Sequence, residues 1–216
     1  MDRRKAKLFV EGIADKKFFE DYLKFAYDVS LDEHDITVLG GWTKIENLEE
    51  TLGEQATIHE MKKNVANGDI NLVIFDADKD PSARRTAIEE IKRRNGLDFE
   101  LFLLPDNTTS GALEELLMSA INPVNQPVCD CWTRYEADLA RQRIPWKNPQ
   151  TPTVPAKKTQ VYAYLEALLG ETRKEKKLIK EANRNYRKPE HWDLTAAGLH
   201  PLREFLDKFF SENNES

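Results

Sequence analysis

The stretch LVIFDADKD, residues 72–80, sets an unbroken apolar run against three aspartates at alternate positions. Four apolar residues in a row, short and followed by loop formers, read as a strand covered on both faces. Similar runs occupy residues 7–10, 35–39 and 100–104. Amphipathic stretches separate them. Phe18, Phe19, Tyr22, Leu23 and Ala26 fall at helical spacing and predict a helix over residues 14–27, and residues 45–65 read as another. Pro81 suits a first helical turn, with a helix over 83–94 ending near Gly96; Ser110 is the expected cap of a fourth over 111–121. Strands alternating with helices predict an α/β fold with a mainly parallel four-stranded sheet flanked by helices.

After Asn122 the texture changes. Pro123, Pro127, Pro145, Pro149, Pro152 and Pro155 divide the chain, with helices expected over 128–142, 158–169 and 199–210. Two regions are expected: an α/β unit over residues 1–122, and a mostly helical extension over 123–216 packed on it, ending in a polar tail that frays.

The 216 residues, 40% hydrophobic and 32% charged, suffice to bury a core, and no apolar run approaches the length of a membrane helix. The N-terminus starts basic like a signal peptide, but its apolar run stops at Glu11. Cys129 and Cys131 are the only cysteines, too few for a disulfide framework or a thiolate zinc site. A cytoplasmic protein with reduced thiols and no membrane partner is the expectation. The net charge of -6 is uneven: residues 173–188 hold eight basic residues against two acidic ones.

In parallel α/β sheets ligands gather at the carboxyl ends of the strands. Here those ends are acidic. The first strand runs into Glu11 and Gly12, with Asp15 four residues on; the third runs into Asp76 and Asp78; the fourth into Asp106 and then Glu114. Alternate residues leaving a strand point to one side, so Asp76 and Asp78 can face one ion. Carboxylates converging on one rim repel unless a cation sits among them, and oxygen ligands favour magnesium, manganese or calcium. Each residue taken singly has an ordinary reading as a loop or capping carboxylate.

LFVEGIADKKFF at residues 8–19 followed by LVIFDADKD resembles the Toprim domain, the Rossmann-like metal-binding catalytic fold of topoisomerases, primases, recombination proteins and OLD-type nucleases. Glu11, Asp76 and Asp78 match that family's Glu and D-x-D positions in order, over about the first 120 residues. FLLPDNTTSGALEELL at 102–117 and HWDLTAAGLHPLREFLDKFF at 191–210 resemble small stand-alone bacterial Toprim-like proteins, for which membership brings no proven activity. The resemblance to OLD-type nucleases implies a two-metal site with Mg2+ (or Mn2+), Asp15 and Glu114 (or Glu115) completing the ligand set, and a catalytic lysine at Lys157 or Lys158. Glu11 would bind metal or act as general acid or base. The implied activity is phosphodiester cleavage of nucleic acid, DNA ahead of RNA. The ATPase domain of OLD proteins is missing, because GGWTK at 40–44 lacks the G-x-x-x-x-G-K-[ST] frame, so an ATPase would be a separate partner.

Lys176, Lys177, Lys180, Arg184 and Arg187 can track a phosphate backbone, with Tyr186 and Trp192 stacking on bases; a solvated helix face is the alternative. Arg84, Arg85, Lys92, Arg93 and Arg94 admit the same two readings. The four histidines show no ligand spacing. Beside the nuclease stand two other functions: a binding module that keeps metal and nucleotide or nucleic acid without turnover, and a scaffold whose carboxylates are structural.

Overall fold

The computed structural model describes residues 5–40 and 48–211. In chain order the main elements are β1 (Ala6–Val10), α1 (Ile13–Tyr27), β2 (Ile36–Val38), α2 (Leu48–Thr51), α3 (Gln55–Ala66), β3 (Ile70–Asp76), α4 (Pro81–Asn95), β4 (Glu100–Leu104) and α5 (Leu113–Ser119). Then follow α6 (Gln126–Arg141), α7 (Lys157–Leu169), α8 (Arg173–Leu178) and α9 (His200–Phe210). Short 3-10 turns at Pro123–Asn125, Glu181–Asn183 and Ala197–Leu199 link the later helices.

The strands form one all-parallel sheet in the order β2-β1-β3-β4. β1 and β3 lie side by side with Leu8 opposite Leu72 and Val10 opposite Ile74. The chain leaves β1 to one side and returns on the other, so the crevice between the carboxyl ends of β1 and β3 is the switch point of the sheet.

Strand residues alternate between two hydrophobic clusters. Leu8, Val10, Leu72, Ile74, Phe102 and Leu104 meet α1, α5, α7 and α9 on one face. Phe9, Val73, Phe75, Leu101 and Leu103 meet Leu48, Ile58, Met61, Ile88 and Ile91 on the other. The first cluster takes residues from both sides of Asn122: Val161, Leu165, Tyr186, Trp192, Leu202 and Leu206 pack with Phe18, Leu113 and Leu117. Among the described residues no helix is long and apolar enough to cross a membrane.

Several expected bounds change for local reasons. Residues 45–47 of the second expected helix, and the tail beyond 211, lie outside the described residues. The rest of that helix divides into α2 and α3 around Gly53, whose N–H closes back on the Leu48 carbonyl at 2.9 Å. A Cβ at Gly53 would meet the Glu49 carbonyl oxygen at 2.8 Å, so only glycine allows the break. Ser110 does not cap α5. Gly111 instead exchanges backbone hydrogen bonds with Asp78, and the helix begins at Leu113, with the Glu115 carboxylate accepting from the Ala112 N–H at 2.8 Å. α4 starts as its proline suggests: Asp80 accepts from the Ala83 N–H at 2.9 Å, and Gly96 closes it in the left-handed conformation. The basic stretch is not one helix. Only Arg173–Leu178 is helical, followed by a 3-10 turn and irregular chain.

Candidate functional site at the carboxyl ends of the strands

Glu11 leaves β1 at the switch point and reaches across to β3. Its Oε1 accepts from the Asp76 backbone N–H at 2.8 Å and from Arg84 Nη2 at 2.8 Å. Two residues from neighbouring strand ends are thereby fixed to each other. Asp15, in the first turn of α1, accepts from the Gly12 N–H through Oδ2 at 2.8 Å, which caps that helix and holds the carboxylate inside the rim. Asp76, the last residue of β3, accepts from the Leu113 N–H through Oδ1 at 3.0 Å, tying β3 to the start of α5. Glu114 follows directly and is half-buried.

Asp78 takes the left-handed conformation, φ 55°, and its backbone N–H and carbonyl pair with Gly111 at 2.9 and 2.8 Å. That bridge anchors the D-x-D turn against the chain entering α5. The Asp78 side chain is half exposed, with Oδ2 3.8 Å from Arg84 Nη1.

The electrostatics of this rim are repulsive. Burial, then the charges of Glu11 and Glu114, push the Asp15 carboxyl up to about 7, against the pull of its bond from Gly12. Burial also holds Asp76 well above the usual carboxylate range, with Asp15, Glu11 and Glu114 adding to it. Glu114 is raised by burial, while the charges of Lys158 and Arg184 pull it back. Asp15 and Asp76 therefore feel the charges of Glu11 and Glu114 across β1, α1, β3 and α5.

Lys158, in the first turn of α7, is bonded to Glu181 Oε1 at 2.6 Å; that bond and the charges of Glu181 and Glu114 raise its pKa and keep it cationic. Lys157 instead donates to Gln160 Oε1 at 3.1 Å on its own helix. Of the two expected lysines, Lys158 is the one that senses the acidic rim. Asp106 and Asp80 stand apart: Asp106 holds Thr108 and Thr109 in a turn, and Asp80 caps α4.

Among the described residues no group of three or more His, Cys, Asp or Glu side chains stands arranged to hold a metal ion. The donor chemistry nonetheless fits one. The rim offers carboxylate oxygens, the ligands hard divalent cations take, and their mutual repulsion is what such a cation offsets. Asp15, Asp76, Asp78 and Glu114 are the residues that would hold it.

Lys176, Lys177, Lys180 and Arg187 are exposed, and Arg187 Nε lies 3.5 Å from Asp21 Oδ1. Arg184 corrects the expectation of a surface stripe. It is 2% exposed, its Nε donates to the Ile179 carbonyl at 3.0 Å, and its guanidinium lies over Tyr162, 4.7 Å from the ring centroid. Tyr186 and Trp192 are likewise buried, 5.5 Å apart between ring centroids, and Phe18 packs edge-on against Tyr186. They fill the core and offer no platform for a base.

Sequence reasoning missed the role of Arg84. The one signal is spacing: Arg84, Ile88 and Ile91 share a helical stripe, placing a guanidinium where an apolar side chain is expected.

The chain belongs to a family described as a protein of unknown function (DUF3226), whose model matches residues 5–211. No curated protein and no solved structure matches it.

Proposed function

We propose that this member of the family is a Mg2+- or Mn2+-dependent nuclease of Toprim type, cleaving phosphodiester bonds of nucleic acid, DNA ahead of RNA. The observation that carries the reading is the placement of Glu11, Asp15, Asp76 and Glu114 at the sheet's switch point, where Glu11 accepts from the Asp76 N–H, and burial together with the charges of Glu11 and Glu114 raises the proton affinity of Asp15 and Asp76. A bound divalent cation supplies charge neutralisation at a phosphoryl oxygen and activation of water.

The chain's own residues do the rest. Asp15, Asp76, Asp78 and Glu114 bind the cation. Lys158, kept cationic by Glu181 and Glu114, offsets charge on the phosphoryl group. Glu11, held by Arg84 and the Asp76 N–H, orients the β1 and β3 ends relative to each other. Lys176, Lys177, Lys180 and Arg187 supply exposed positive charge for a phosphate backbone.

The test is cleavage of labelled single- and double-stranded DNA and RNA with Mg2+ or Mn2+, wild type against Glu11→Gln and Asp76→Asn. Metal-dependent cleavage that both substitutions lower, Asp76→Asn by on the order of 10²–10³-fold, is the expected result. Cleavage untouched by either removes the rim from the chemistry.

A second reading is favoured by the engagement of Glu11 with Arg84, which ties up an oxygen that catalysis would use. It makes the protein a metal-dependent nucleotide- or nucleic-acid-binding module acting with a separate partner such as an ATPase. Stoichiometric binding with no turnover of any substrate selects it.

A further inference from the structure

Arg84 is fully closed off from solvent, an unusual place for a side chain that stays charged at every physiological pH. Its stem runs along the inner face of α4 in line with Ile88 and Ile91, and the guanidinium lies over Phe75, 5.6 Å from the ring centroid. The head then meets three residues of the acidic rim. Nη2 donates to Glu11 Oε1 at 2.8 Å, Nε donates to the Asp76 carbonyl at 3.2 Å, and Nη1 stands 3.8 Å from Asp78 Oδ2. Nη1 itself has no hydrogen-bond partner among the described residues, although it is sealed from solvent.

A charge buried in this way is tolerable only with opposite charge beside it. Arg84 therefore depends on the rim, and the rim is partly neutralised by Arg84. A metal ion at Glu11 would sit on a carboxylate whose Oε1 Arg84 and the Asp76 N–H already occupy, next to a fixed positive charge. At the effective dielectric of a protein interior that repulsion is strong at such separations. None of the carboxylates of Asp15, Asp76 and Glu114 hydrogen-bonds to Arg84 among the described residues.

We propose that Arg84 is a resident cation of this rim, standing in place of a metal ion at Glu11, so that the site takes one divalent ion per chain, among Asp15, Asp76, Asp78 and Glu114. This rests on the cation-site reading above and departs from the two-ion site that the Toprim resemblance implies. Arg84 is thus a positioning residue that sets how many ions the rim binds and how tightly.

Titration with Mn2+, following free ion by electron paramagnetic resonance, counts ions without any assay of cleavage. Wild type is expected to bind one ion per chain. Arg84→Gln, which removes the charge, is expected to bind a second ion or to bind the first about tenfold more tightly; Arg84→Lys keeps the charge and stays at one. Two ions on wild type overturn the proposal and leave the cation site standing. So does a folded Arg84→Gln, checked by circular dichroism, with wild-type count and affinity. No ion on wild type removes the cation site and the proposal together. Should Arg84→Gln fail to fold, the wild-type count decides.

Discussion

β3 carries a polar residue near each end, buried Asn71 and half-buried Asp76, and the two ends treat it in opposite ways. Near the amino end, Asn71 is 1% exposed, and its side-chain amide donates to the Met61 and Asp98 carbonyls at 3.0 and 2.9 Å while accepting from Asn64 at 2.9 Å. Each donor and acceptor of that amide meets a complementary group, so burial there costs little. At the carboxyl end Asp76 accepts from Leu113, but burial, and then the charges of Asp15, Glu11 and Glu114, raise its proton affinity. The same strand thus ends in a network that satisfies itself at one rim and in one that calls for outside charge at the other. Structural polar residues cancel; those of a ligand site add up until a ligand arrives.

The largest expected effect comes from Asp76→Asn. The amide keeps an acceptor for the Leu113 N–H but removes charge, so metal-dependent cleavage should fall on the order of 10²–10³-fold with no loss of melting temperature. Initial rates and a thermal melt check both, and a variant that cleaves like wild type would place the chemistry elsewhere.

Next in size is a pH effect. Asp15 titrates near its ordinary 3.8 when unfolded and at about 7 when folded, so the folded state holds the extra proton between those values. Its contribution to stability is therefore most favourable below about pH 4, declines as pH rises toward 7, and levels off above. The free energy linked to that change is on the order of 4 kcal/mol. Denaturation at a series of pH values, wild type minus Asp15→Asn, isolates it; the difference should flatten when Mg2+ is added. A flat difference in metal-free buffer would contradict the repulsive rim.

Asn71→Ala probes the other end. It strands the Met61 and Asp98 carbonyls and the Asn64 amide, at a cost of about 2 kcal/mol in urea denaturation, with Mn2+ binding unchanged. A matching loss of ion binding would show that the two rims are not independent. Smallest is the paired change Lys176→Ala with Lys177→Ala, both exposed at the end of α8. Stability should stay within about 0.5 kcal/mol of wild type, while affinity for a DNA duplex falls and its salt dependence weakens. An unchanged salt slope would exclude this stretch from backbone contact.

Much of the scaffold was legible in the chain itself. Runs such as LVIF at 72–75 and LFLL at 101–104 are apolar on both sides and too short for helices, so they name themselves as central strands. The acidic residues placed just after β1 and β3 follow from the same reading, because a strand's end fixes where the next side chains emerge. Gly53 was harder: a single glycine within an amphipathic stretch is compatible with a continuous helix, and only the close approach to Glu49 reveals the break. Ala112 offered no capping side chain to notice, since Glu115 supplies the cap from one turn ahead.

What the sequence determined alone was therefore periodic and local: strand and helix order, the parallel sheet, and a set of carboxylates at strand ends. What tertiary structure decided was which charged and aromatic groups face inward. Arg84 and Arg184 look like other arginines of a basic helix or loop until Glu11 at the end of β1, or Tyr162 on α7, is brought beside them. Tyr186 and Trp192 could equally have faced solvent until α1 and α7 closed over them. Hydrophobic periodicity is written into a segment's own residues, whereas burial of a charge depends on a partner far along the chain, and only folding supplies that partner.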